Sequence, residues 1–438
     1  MKGNFFKKVE ALYENNHRLK EFLEQELEEL EKLLTVDSFN EEDVEHFLNI
    51  QYSLEQIKNN LLKVGSTDSI PTREYPITFG MLYPIKKEKL FFELVTLFQE
   101  ISLLYNIDII LFPIEGVNLE NQTVSGTIIS STKIEKGVSS IPSFVYNVTN
   151  HAHPKSIKIM RKIRNLDKVT IINPINRFNQ GILFDMLSSL ITKEKFLLHY
   201  DVFSPKTLLD FIDRYKGCII IPEKGKIKDS VFWVHSKSGN TNTYLISSTD
   251  YSYECTPDKI FATVKEKINL KKYIILQPID AINWMNTPLE IRVYLQRNKD
   301  GEWTVTEMVG KSEFLAKKSQ NKHIAENLQW TLGELEIEHP ESTIKELTEL
   351  SLSCCSLLDY YIPNLGTCTL DFILDQERRP YLLFVKGWET RSYLYSSSKL
   401  DWKTYLSNAF QYLYYLYNQR ETKEDVIYEL GTDKENKQ

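Results

Sequence analysis

Leu289-Glu290-Ile291-Arg292-Val293-Tyr294-Leu295-Gln296-Arg297-Asn298-Lys299-Asp300-Gly301-Glu302-Trp303 carries more fold information than any other run in this 438-residue chain. Ile291 to Arg297 reads as one strand and Trp303 to Val309 as another, since β-branched and aromatic residues populate both. From about residue 195 onward, helices alternate with further strands at Cys218 to Ile221, Phe232 to Val234 and Tyr273 to Gln277. An α+β body follows.

Toward the N-terminus the pattern changes. Pro76 to Leu82 reads as a buried strand, Leu90 to Tyr105 as an amphipathic helix and Ile107 to Phe112 as a second strand, a βαβ order that predicts a small parallel sheet. Before it, Gly65-Ser66-Thr67-Asp68-Ser69-Ile70-Pro71-Thr72 is polar and turn-rich and reads as a linker. From Phe5 to about Val64 the chain is charged and nearly free of Gly and Pro. Leu23, Leu27, Leu30 and Leu34 form one apolar stripe, and Phe47, Ile50, Leu54, Ile57 and Leu61 another. An antiparallel helical hairpin is the expectation, with Asn40 as N-cap of its second helix. It serves either as a helical cap or as a coiled-coil arm that binds a partner or a second copy. After about Thr422 the composition, rich in Lys, Glu and Asn, predicts a disordered tail.

The bulk numbers exclude several classes. Apolar residues make up 42% and charged residues 26%, which argues for a folded protein of more than one domain. Against 53 basic residues stand 60 acidic ones, a formal charge of -7, and no basic block stands out that would track a nucleic acid. Cys218, Cys255, Cys354, Cys355 and Cys368 are scattered and lack C-x-x-C spacing, as expected in a reducing compartment. The start, Met1-Lys2-Gly3-Asn4-Phe5-Phe6-Lys7-Lys8, has no apolar h-region, and no stretch of about 18 apolar residues exists. A cytoplasmic protein with no membrane span is expected.

Several segments resemble, in order, the YheC/YheD endospore coat-associated family of the ATP-grasp superfamily. Ser143-Phe144-Val145-Tyr146-Asn147-Val148 is similar to the strand closing that family's first domain, Phe178-Asn179-Gln180-Gly181 to a turn into a helix, and Tyr273 to Gln277 to the strand leading to the adenine hinge. The run from Leu289 to Trp303 resembles the family's D-x-R-V-x-x-Q-K-N-x-x-G-x-W. Leu370-Asp371-Phe372-Ile373-Leu374-Asp375 with Pro380-Tyr381-Leu382-Leu383 resembles the last strand pair, where the family holds its metal. The resemblance covers roughly residues 75 to 420. It implies an ATP-grasp fold over residues 176–420 and a smaller α/β domain over 76–175, and it leaves unexplained the helical hairpin or coiled-coil arm at 1–65, the linker at 66–75 and the tail at 421–438 that the residues themselves suggest.

The same resemblance implies a degenerate site. Such a site holds a triphosphate with divalent cations on carboxylates, a phosphate-facing lysine and a glycine-rich flap. Here Ile221 stands where the lysine belongs, and Gly225 is the one flap glycine left. Asp371 matches the first metal ligand, but Phe384 and Lys386 replace the Glu and Asn. A phenyl ring ligates nothing, and an ammonium repels a cation and suits pairing with Asp371. Arg391 keeps the register, and Glu389 is the nearby carboxylate. In the vestigial nucleotide cleft Gln277 and Arg292 remain, with Glu290 and Lys311 standing for Asp and Arg. Glu290 and Arg292 also suit an ion pair that holds the sheet. Lys224, Lys226 and Lys228 form either an exposed turn or an anion-attracting loop. No catalytic residue, metal or cofactor is expected.

Other candidates are weaker. His151 and His153 lack further ligands at metal spacing, Cys354 and Cys355 read as buried structural thiols, and Phe410 to Tyr417 is aromatic on all sides of a helix. The resemblance thus implies a pseudoenzyme, made in a mother-cell cytoplasm, that acts in or beside the spore coat. Its partners would be coat proteins, an active paralogue or a second copy held through the hairpin. An ATP-dependent carboxylate-amine ligase is the alternative, with Asp371, Arg292 and Gln277 essential.

Overall fold

A computed structural model describes residues 76–150, 153–190, 196–224, 231–237, 240–248, 251–267, 272–285, 287–312, 324–387 and 402–435. The expected hairpin and linker, Gly225, Lys226, Lys228, His151, Glu389 and Arg391 lie outside them. The chain divides into two compact units, Met1–Phe144 and Val145–Gln438.

In the first unit β1 (Ile77–Leu82) and β2 (Ile107–Phe112) run parallel, with Ile77 opposite Ile107 and Leu82 opposite Phe112. This is the βαβ order read from the sequence. The expected single helix is two, α1 (Glu88–Glu93) and α2 (Val95–Tyr105), divided at Leu94. Asn106 ends α2 in the left-handed region, a conformation that Asn tolerates better than most residues, and its N–H bonds back to the Ser102 carbonyl. β3 (Val117–Asn118), β4 (Thr123–Ile129) and β5 (Ile134–Ser140) extend the sheet in the order β3-β4-β2-β1, with β5 on β4. Phe79, Phe98, Ile101, Ile109 and Phe112 are buried, each worth about 1.5–3 kcal/mol by removal from water.

The second unit follows β6 (Phe144–Asn147) with α3 (Pro154–Arg164), β7 (Thr170–Ile172) and α4 (Gln180–Leu190). Its first sheet has the order β12-β11-β10-β9-β13-β8. The strands are β8 (Tyr200–Val202), β9 (Gly217–Pro222), β10 (Phe232–Lys237), β11 (Asn240–Ser248), β12 (Tyr251–Cys255) and β13 (Tyr273–Leu276). Two helices cover one face. α5 (Pro205–Tyr215) starts in a capping box at Ser204, with Pro205 in the first turn where its missing N–H costs nothing. Its Leu208, Phe211 and Ile212 pack with Ile260 and Val264 of α6 (Pro257–Lys267) and with Ile220, Val234 and Ile275 of the sheet.

A ribbon of β14 (Asn283–Trp284) and β15 (Thr287–Pro288) leads into the second sheet, ordered β18-β17-β16-β19-β20. Here β16 (Glu290–Arg297) is central, flanked by β17 (Trp303–Ser312) and β19 (Thr367–Leu374), with β18 (Ile324–Asn327) and β20 (Pro380–Lys386) outside. α7 (Leu328–Glu334) and α8 (Pro340–Leu358) lie between β18 and β19 in sequence. Side chains alternate between faces along a strand. Ile291, Val293, Leu295, Leu370 and Phe372 join Leu347, Cys354, Cys355 and Leu358 of α8 in one core. The other face carries Glu290, Arg292, Tyr294 and Gln296.

α9 (Trp402–Glu435) seals part of that polar face. The Gln296 amide donates to the Tyr405 carbonyl at 2.8 Å, and the Tyr294 and Tyr405 rings meet edge to face at 6.3 Å. Phe410, Tyr412 and Leu413 are buried, so the aromatic run serves the core on at least one side. The helix is continuous to Glu435 where composition predicts a disordered tail. Lys and Glu, which lower the mean hydropathy there, are also good helix formers.

Candidate functional site

The antiparallel registers decide which charges meet. On β16, Glu290 lies opposite Lys311 of β17, and Arg292 lies opposite Asp371 of β19. Arg292 grips the Asp371 carboxylate with both fork donors, Nε to Oδ1 and Nη2 to Oδ2, each at 2.7 Å. Lys311 Nζ is 2.8 Å from Glu290 Oε2 and 3.4 Å from Asp371 Oδ2. Lys386, on β20 and diagonal to Asp371, places Nζ 3.4 Å from the same Oδ2. The sheet-holding ion pairing read for Glu290 and Arg292 is present in its cross-strand form, each residue pairing with the neighbouring strand, Glu290 with Lys311 and Arg292 with Asp371.

Burial gives this cluster its energy. Arg292, Lys311, Glu290 and Asp371 have side chains at most 2% exposed, and Lys386 is 17% exposed. Burial alone raises the Asp371 carboxyl, but Arg292 first, then Lys311 and Lys386, hold it well below the usual carboxylate range. Phe384 is fully buried directly opposite Asp371. A bulge at this point leaves Leu383 as the extra residue on β20, since Asp371 faces Phe384 while Phe372 faces Leu382.

One side-chain amide whose role the sequence does not show, that of Gln180, helps fix the strand carrying Lys386. Gln180 Nε2 donates to the Val385 carbonyl at 2.9 Å, and its Oε1 accepts from the Val385 N–H at 3.0 Å, so the side chain imitates a neighbouring strand. The Asn176 carbonyl accepts from the Gly387 N–H, and the Phe196 carbonyl from the Leu382 N–H. The outer edge of β20 is thereby covered. Asn173, at φ 54°, accepts from the Gly366 and Thr367 N–H groups and donates to Asn176. A polar run with helix-starting character was the signal in sequence, and nothing in it named Val385 or Thr367 as the partner.

The remaining predicted positions stand on the first sheet. Ile221 is fully buried on β9 opposite Ile274, in an apolar cluster with Ile219, Trp233 and Leu276. Gln277 follows β13, where its N–H donates to the His199 carbonyl at 2.8 Å and its Oε1 accepts from the His199 N–H at 3.2 Å. His153 caps α3, its Nδ1 accepting from the Lys155 N–H. Among the described residues no group of three or more His, Cys, Asp or Glu side chains is placed to hold a metal ion.

The two sheets, with a charged face on the second, are those of the ATP-grasp class. A family model described as YheC/D like ATP-grasp matches residues 168–416, and the chain belongs to that family. Endospore coat-associated protein YheD of Bacillus subtilis (strain 168) is 24% identical over 389 residues, covering 85% of this chain and 83% of that one. Among solved structures, D-alanyl-alanine synthetase A of Vibrio cholerae aligns with a TM-score of 0.46 at 13% identity, over 78% of this chain and 96% of its own. D-cycloserine synthetase DcsG aligns at 0.47 and 8%, over 76% and 98%.

Proposed function

We infer that this chain is a non-catalytic ATP-grasp protein that serves as a structural or assembly component of a spore coat. One observation carries the first half. The Asp371 carboxylate, which the family would turn toward a divalent metal, is already held bidentately by Arg292 and flanked by two ammonium groups. The fold family implies Mg-ATP, and these residues do not fit it. A magnesium ion demands near-octahedral oxygen ligation at about 2.1 Å. Asp371 would have to release Arg292, Phe384 offers no ligand, and Lys386 would repel the ion. Ile221 gives no phosphate contact.

The coat association is supported by the coat-associated relative, and the partner reading by the charged N-terminal segment. Among the described residues no helix is long and apolar enough to cross a membrane. Synthesis in the mother-cell cytoplasm followed by deposition at the spore surface accounts for these features. A fluorescent fusion should move from the mother-cell cytoplasm to the forespore surface, and purified protein should release no phosphate from Mg-ATP above a buffer blank. Steady turnover lost in Asp371→Asn would restore the ligase reading.

A further inference from the structure

Helix α3 is out of character with the rest of the molecule. In a chain of formal charge -7, its eleven residues Pro154–Arg164 include Lys155, Lys158, Arg161, Lys162 and Arg164 and no carboxylate. All five cations are exposed, and none takes part in an ion pair among the described residues. Its apolar side, Met160 and Ile163, is buried against the unit. The helix therefore has no apolar face to lay into a bilayer, as an interfacial anchor needs. Beside its C-terminal end lies a groove of about 250 Å³ lined by Arg164, Ile171, Pro174, Ile175, Tyr361 and Pro363. Ile175 and Tyr361 are 48% and 45% exposed there. A basic row that ends at a partly apolar groove fits an acidic protein segment that also carries apolar side chains.

The chain contains such a segment. Glu21-Phe22-Leu23-Glu24-Gln25-Glu26-Leu27-Glu28-Glu29-Leu30-Glu31-Lys32-Leu33-Leu34 lies outside the described residues and carries six glutamates against one lysine. Read at helical spacing, Glu24, Glu28 and Glu31 share a face at intervals of four and three. Lys155, Lys158 and Lys162 share a face at intervals of three and four. Laid antiparallel, Lys162 meets Glu24, Lys158 meets Glu28 and Lys155 meets Glu31. We propose that α3 and its groove dock the acidic segment Glu21–Leu34 of a second copy of this chain. Exchange between two copies satisfies both arms and both helices at once, the symmetric arrangement usual in homodimers.

The test uses the full chain throughout. Light scattering over a range of concentrations gives the association, and carbodiimide coupling of mixed light and nitrogen-15-labelled protein gives the lysine–glutamate pairs. Wild type should dimerise, more weakly at high salt because exposed charges are screened beyond about 10 Å at 0.1 M. Mixed-isotope cross-links should join Lys155, Lys158 or Lys162 to the glutamates between 21 and 31. Lys155→Glu/Lys158→Glu/Lys162→Glu should weaken the dimer at least tenfold, and so should Glu24→Lys/Glu28→Lys/Glu31→Lys. Combining the six substitutions should restore it, an outcome that misfolding of either triple variant cannot imitate. Ile175→Asp should weaken it too. A monomer at all concentrations, cross-links confined to one copy, or a six-fold variant no tighter than either parent overturns the proposal.

Discussion

Replacing Arg292 by Met removes the bidentate partner of Asp371 while keeping an unbranched side chain of similar length. The Arg292 side chain is 0% exposed and that of Asp371 2%, so solvent cannot take over the lost bonds. Breaking a buried pair from one side costs about 3–5 kcal/mol, since the remaining charge is stranded. Lys311 and Lys386 remain, each 3.4 Å from Oδ2, which places the expected loss near the lower end, about 3 kcal/mol. All six tryptophans lie after residue 230, so urea unfolding followed by tryptophan emission reports the second unit alone. The pH dependence has a definite sign. Asp371 has its folded pKa depressed, so its stabilisation is fully present above the unfolded carboxyl value of about 4 and is lost as pH falls through the folded value. The variant has one of three opposing cations removed while burial persists, so its Asp371 titrates higher. The difference between wild type and variant is therefore greatest at pH 7 and shrinks as acidification carries the pH toward the depressed folded value of wild-type Asp371. A loss below about 1 kcal/mol at pH 7, or one unchanged by acid, refutes the argument.

Lys386→Met leaves Arg292 in place and should cost less, about 1–2 kcal/mol, in the same unfolding assay. Gln180→Leu strands the N–H and C=O of Val385 and should cost about 2–4 kcal/mol, whereas a loss below about 0.5 kcal/mol would show that the strand edge repairs itself. Burial pushes the Cys218, Cys354 and Cys355 thiols up, and that of Cys255 too, but Cys218, Cys354, Cys355 and Cys368 are buried while Cys255 is partly exposed. A disulfide reagent at pH 8 should therefore label Cys255 first in native protein and all five cysteines in urea.

The buried strands were legible where their apolar residues form short dense runs, and β1, β2, β9, β13 and β16 fall within one or two residues of their reading. β3, β4, β5, β7, β8, β11, β12, β14, β15 and β18 were not read. In β11, Asn240-Thr241-Asn242-Thr243 is polar and its strand is made by pairing with β10. The identity of the charged residues was legible too, and so was the pairing of Lys386 with Asp371, whereas the pairing of Asp371 with Arg292 and Lys311 was not. Arg292 and Asp371 are separated by 79 residues, and only the ladder register brings them together. For the same reason Gln180 gave no sign of reaching Val385, 205 residues away. The unread capping of Asn106 shows the local version of this limit, because a left-handed Asn ends α2 without any Gly or Pro nearby.

Whether fixed cations stand in for magnesium beside Asp371 is decided by calorimetric titration of the full chain with ATP in the presence and absence of Mg²⁺. No heat attributable to Mg-ATP binding, and none from Mg²⁺ alone, is expected. Micromolar Mg-ATP binding that disappears in Asp371→Asn would contradict it.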